Sequence, residues 1–223
     1  MTAALVADGV AKRYGNAVAL EPLELTVTTG ERVSLIGHNG SGKSTLLRLC
    51  AGLIEPSEGT IAVAGHPAGS LAARAQLSYL GDQPVFYDDL SVWEHIEYVA
   101  RLGGNGQWVP RATELVERLG LAQRTDDLPA SFSRGLRQKA AIALAFVRPF
   151  SLMLVDEPFV GLDVSGRRAL LELLLDAQHA GVTLVVATHE LATVSASHRV
   201  LALRDGELVF DGTPDEADTA DVT

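Results

Sequence analysis

The sequence predicts a mixed α/β fold: a parallel-sheet core, an N-terminal antiparallel β subdomain ahead of it, and a helical insertion subdomain within it. Three observations carry that prediction. A glycine-rich stretch at 37–45 lies between a short apolar run at 31–36 and a segment of helical apolar spacing at 46–51. A second apolar run, at 152–155, is continuous rather than alternating, as strands buried on both faces are. Between residues 91 and 147 the hydrophobic period changes from that of strands to that of helices.

The first thirty residues alternate weakly and carry turn signals at 15–16 and 29–30, which reads as two or three antiparallel strands. Further β segments are expected around 59–65 and 76–80. Ser91 is a good N-cap for a helix over Val92–Leu102, with Glu94 completing a capping box. Pro110 opens a second helix that ends at Gly120. A third, from Arg134 to Val147, is nearly all apolar beyond its first turn and should be buried. Strand-like runs return at 151–155, 182–187, 200–203 and 207–210. The expected organisation is one cassette over 1–212, with the helical insertion at about 84–147, followed by a loose acidic tail at 213–223.

Composition narrows the function. The net charge of −10 argues against non-specific nucleic-acid binding, which depends on basic patches. Arg134, Arg137 and Lys139 form the one local basic cluster and read as a solvated helix start. No apolar run approaches the roughly 18 residues of a membrane span. The longest, 140–147, stops at Arg148, and residues 1–7 lack the basic start of a secretory signal. A cytoplasmic protein is expected. The single cysteine, Cys50, excludes an intramolecular disulfide and a thiolate cluster, and reads as a buried thiol.

Residues 37–45 match G-x-x-x-x-G-K-[ST], a loop whose spacing is a physical device. Its members are Gly37, His38, Asn39, Gly40, Ser41, Gly42, Lys43, Ser44 and Thr45. The glycines let successive N–H groups turn toward an anion, and the following helix adds its positive end. Lys43 can reach the outer phosphates, and the Ser44 hydroxyl is placed for Mg²⁺. The strand before and the helix after make this a P-loop NTPase core. At the carboxyl end of the 152–155 run, Asp156 is suited to the Mg²⁺ shell. Glu157 beside it is suited to act as general base toward the γ-phosphate.

With these motifs the chain resembles the ATP-binding subunit of an ABC (ATP-binding cassette) transporter from about residue 5 to 212. The resemblance implies the following roles. Tyr14 stacks on adenine. Gln83, in Leu-Gly-Asp-Gln-Pro, touches Mg²⁺ and the attacking water. Asp163, in Gly-Leu-Asp, communicates between two subunits, and His189 contacts the γ-phosphate. The family's Leu-Ser-Gly-Gly-Gln stretch appears at 132–136 as Phe-Ser-Arg-Gly-Leu. Ser133 and Gly135 match, while Arg134 and Leu136 depart in a way similar to bacterial exporter-type cassettes.

The resemblance further implies a head-to-tail dimer, with a second copy or a related cassette. Each ATP then lies between the phosphate loop of one chain and the Ser133–Arg134–Gly135 region of the other. Transmembrane permease subunits would be separate chains, placing this one on the inner face of the cell membrane. The segment 84–98, with Phe86, Tyr87 and Trp93, is the candidate docking surface, or else a cluster packing the insertion. Cassettes acting on DNA or ribosomes carry coiled coils, zinc modules or a second cassette, none of which is seen. A non-hydrolytic switch or interaction module is opposed by Glu157. A GTPase is opposed by the lack of N-K-x-D.

Overall fold

The computed structural model describes residues 2–104 and 106–217. These fall into two compact units, one comprising 2–79, 151–157 and 178–217, the other 80–150 and 158–177.

The first unit holds two sheets. β1 (Ala3–Tyr14) and β2 (Ala17–Thr28) form an antiparallel hairpin, and β4 (Glu58–Val63) and β5 (His66–Pro67) extend it in the order β2-β1-β4-β5. The second sheet runs β10-β9-β3-β8-β7-β6. Its strands are β3 (Arg32–Ile36), β6 (Leu77–Leu80), β7 (Leu152–Asp156), β8 (Thr183–Ala187), β9 (Arg199–Arg204) and β10 (Glu207–Gly212). β3 lies parallel to β8 and β9, and β7 parallel to β8. Every residue of β3, β7 and β8 is buried, the burial that their unbroken apolar runs require. Helix α1 (Lys43–Cys50) places Leu46, Leu47, Leu49 and Cys50 in one cluster with residues of both sheets. Burial pushes the Cys50 thiol up to about 12, so it is an inert packing group.

Three helices were not foreseen. α2 (Leu71–Gln76) is capped by the Ser70 hydroxyl but buries only Ala73, so it shows no apolar stripe. α6 (Val164–His179) follows Asp163, and α7 (Leu191–Ser195) is a single short turn. The stretch from 213, expected to be loose, begins with a turn. There Glu216 accepts from the N–H and hydroxyl of Thr213, and Ala217 packs near Ile36 and Val200. Residues 218–223 of that expected tail lie outside the described residues.

The second unit is helical. α3 (Val92–Leu102) has the expected capping box, and α4 (Val109–Arg118) carries Pro110 in its first turn. A 3₁₀ turn (Pro129–Ser131) leads into α5 (Arg134–Phe146), N-capped by Ser133. Ile96, Leu115, Leu119, Leu121 and Ile142 are fully buried. Most of α6 belongs to this unit, where Arg118 of α4 meets Asp176 at 2.8 Å.

Candidate functional site

The phosphate loop leaves the buried end of β3 at Gly37, whose φ is +143°. A Cβ there would lie 2.1 Å from Leu203 O, so only glycine lets the chain turn at this point. Ser41 is buried and serves the loop itself: its N–H donates to His38 O and its carbonyl accepts from Gly206 N–H. Asn39 and Gly40 are exposed, while Ser44 and Thr45 are half-buried on the first turn of α1. The β9–β10 turn buttresses the loop, since Asp205 also lies 3.3 Å from His38 Nε2. Sequence reasoning missed this contribution. The Asp-Gly pair between two strands signals the turn but not what the turn touches.

Lys43, Glu157 and His189 converge. The Lys43 ammonium, 5% exposed, donates to the carbonyls of Gly37 and His38 and lies 3.9 Å from Glu157 Oε1. His189 Nε2 lies 3.0 Å from the same oxygen. Burial draws the Lys43 pKa below the usual lysine value, and the charges of Glu157 and Asp156 oppose that shift. Glu157 follows β7 with φ +44°, its N–H donating to Ala187 O of β8. A left-handed, non-glycine residue costs about 1–3 kcal/mol. The strained turn holds the carboxylate at the end of the sheet beside Lys43.

Asp156, 0% exposed, ends β7 and pairs in register with Ala187. Its carboxylate and the Ser44 hydroxyl are hard oxygen donors. They suit Mg²⁺, which takes one or two protein oxygens and completes its shell with phosphates and water. No group of three His, Cys, Asp or Glu side chains that could cage a metal occurs among the described residues. Tyr14 ends β1 with its ring 54% exposed and the Lys12 ammonium 5.0 Å from the ring centre. An exposed face of this kind can stack on a base, and the cation adds to its pull on a π-system.

The second unit assembles the other group of predicted residues. Ser133 caps α5, its hydroxyl accepting from Leu136 N–H, and Arg134 is exposed. A Cβ on Gly135 would lie 2.6 Å from Gly161 O, which explains the glycine retained in the Phe-Ser-Arg-Gly-Leu stretch. The Arg134 stem lies against Gly161, so this departure from the family pattern is accommodated by a residue without a side chain. Asp163 caps α6: its carboxylate accepts from Gly166 N–H at 2.7 Å and from the Ser165 hydroxyl, with Lys139 Nζ at 3.0 Å. These bonds, the Gly166 N–H first, hold the Asp163 carboxyl down at about 2.

Lys139 corrects the solvated-cluster reading. Arg134 is exposed, but Lys139 is buried against Asp163, and Arg137 lies 5.4 Å over the Phe86 ring. Gln83 is exposed, ahead of segment 84–90. Of the candidate docking aromatics, Phe86 packs edge-on to His95 and Trp93 against Trp108 within the unit, while Tyr87 is 55% exposed; Val85 nearby is 90% exposed.

Residues 20–160 match the family model described as ABC transporter. The aliphatic sulfonates import ATP-binding protein SsuB of Pseudomonas putida is 35% identical over 96% of this chain and 77% of its own length. The SkfA peptide export ATP-binding protein SkfE of Bacillus subtilis is 33% identical over 92% and 87%. Among solved structures, an ATP binding subunit of an ABC transporter superposes with a TM-score of 0.89 at 34% identity, covering 95% of this chain and 90% of its own. The dimeric post-hydrolysis structure of the ATP-binding cassette MJ0796 with ADP and Pi gives 0.86 at 26% identity, covering 94% and 98%. The chain therefore belongs to the ABC transporter family, as an ATP-binding cassette and an ATPase.

Proposed function

We propose that the chain hydrolyses ATP in a head-to-tail dimer, with a second copy or a related cassette, and drives transport through separate membrane-spanning permeases. The observation that carries this reading is the convergence of Lys43, Glu157 and His189 at the end of β7. Lys43 and the loop bind the phosphates, and Glu157 takes the proton of the attacking water. His189 lies beside Glu157, where it can hold the γ-phosphate. Tyr14 stacks on adenine. Bound Mg²⁺ would neutralise charge on the phosphate oxygens, and Ser44 and Asp156 would hold it.

Two features support a shared site. Ser133 opens a second helix start of the kind that receives anions, and the MJ0796 cassette is described as a dimer. Asp163 would carry the signal between chains. Val85, Tyr87 and Tyr98 offer an exposed apolar face for a permease, so the protein would work on the inner face of the cell membrane. No helix among the described residues is long and apolar enough to cross a membrane. Our reading of direction is export, on the strength of the Arg134 and Leu136 departures. Relatives named for import and for export match at 35% and 33%, so identity favours neither.

The test is Glu157→Gln. Turnover should fall by about 10²–10⁴, with an ATP-dependent dimer accumulating in size-exclusion chromatography. Normal hydrolysis by this variant would remove Glu157 from the role of base.

A further inference from the structure

Segment 84–90 is held by a side chain whose bonding depends on its charge. His95, on the first turn of α3, is 3% exposed. Phe86 meets it edge-on at 5.3 Å, and Tyr87 stacks on it at 5.9 Å. Nδ1 lies 2.7 Å from Ser91 O, and Nε2 accepts from the backbone N–H of Tyr87 at 2.9 Å. A carbonyl can only accept, so the ring proton belongs on Nδ1 and the lone pair on Nε2. One neutral tautomer satisfies both bonds. A second proton would set N–H against N–H at 2.9 Å and leave the Tyr87 amide without its acceptor.

We propose that His95 is the positioning residue of this segment: neutral, it fixes Tyr87 and the exposed face around it, and on protonation it lets the segment go. The order of 84–90 then follows the charge of this ring, because only the neutral form accepts from the Tyr87 N–H. The surrounding groups do not supply this switch. Glu94 is engaged by the N–H and hydroxyl of Ser91, which hold its carboxyl below the usual range, so it stays an anion there. Arg137, from α5, lies 5.4 Å over the Phe86 ring and donates to Pro84 O at 3.4 Å, a cation throughout. Arg124 and Asp127, on the segment that bonds the first turn of α3, pair with each other at 3.2 Å. Asp88 and Asp89 are exposed, and the bond to Tyr87 pushes the Tyr98 phenol up from its ordinary value. Neither Glu94 nor Arg137 replaces the acceptor for the Tyr87 N–H.

The use of this segment as a docking face rests on the function proposed above; the hold on Tyr87 does not. NMR on the full chain tests the hold directly. At about pH 8 the His95 ring should be the Nδ1–H tautomer, and the Tyr87 amide should shift with the same titration as the ring. An Nε2–H tautomer, or a Tyr87 amide indifferent to that titration, would overturn the proposal. In His95→Phe, which keeps a ring but no acceptor, Tyr87 amide protection should fall about fivefold, the equivalent of one net hydrogen bond. Protection at Ile142 in α5 should persist. Equal Tyr87 protection in variant and parent would also overturn the proposal. If Ile142 loses protection as well, the titration of the parent chain decides. Failure of a permease to bind would change none of these readouts, so the two readings fail separately.

Discussion

The nucleotide end of the first unit and the Ser133–Asp163 face of the second are held in opposite ways. Lys43 and Asp156 are buried, fixed by all-buried strands whose packing leaves them little freedom. Their charges depend on one another, and removing one strands the rest in a dry environment. Ser133, Arg134 and Asp163 face solvent, and local polar bonds order them: a cap on α5, a cap on α6 and the Lys139–Asp163 pair. One region is held by burial. The other is ordered yet turned outward, as a surface prepared for another chain would be.

Substitutions should separate the two. The largest effect belongs to Lys43→Ala, which removes the buried cation beside two carboxylates. Its affinity for ATP by calorimetry should fall by two orders of magnitude or more, about 3 kcal/mol; unchanged affinity would break the assignment. Gly135→Ala comes next, because its Cβ meets the Gly161 carbonyl at 2.6 Å. Denaturant unfolding should show a loss of about 1–3 kcal/mol, and turnover should drop while the isolated chain still binds ATP. Affinity lost to the same degree as in Lys43→Ala would erase the distinction between the regions. Lys139→Met should be mildest, since Asp163 keeps its bonds to Gly166 and Ser165. A stability loss of under about 1 kcal/mol is expected, with unchanged ATP affinity and a several-fold lower turnover.

The first region was legible in the sequence because its chemistry is contiguous. The loop at 37–45 and the pair Asp156–Glu157 each sit at the end of an apolar run, and burial follows from that pattern. The strain at Glu157 and the Asp205–Gly206 buttress were not legible, because both depend on neighbouring strands. The second region was read in fragments. Ser133 and Asp163 were read for roles between chains, but the Asp163 cap that starts α6 went unnoticed. Lys139 looked solvated because its partner is 24 residues away. His95, a lone histidine on an amphipathic helix, gave no signal at all.

Mixed dimers test the central claim, that the nucleotide site is divided between chains. Lys43→Ala and Ser133→Arg chains are each expected to be inactive alone. Combined, they should regain ATP hydrolysis. The Ser133→Arg chain contributes an intact phosphate loop, and the Lys43→Ala chain contributes an intact Ser133. Dimers shown to contain both chains yet hydrolysing no more ATP than either parent would contradict the shared site.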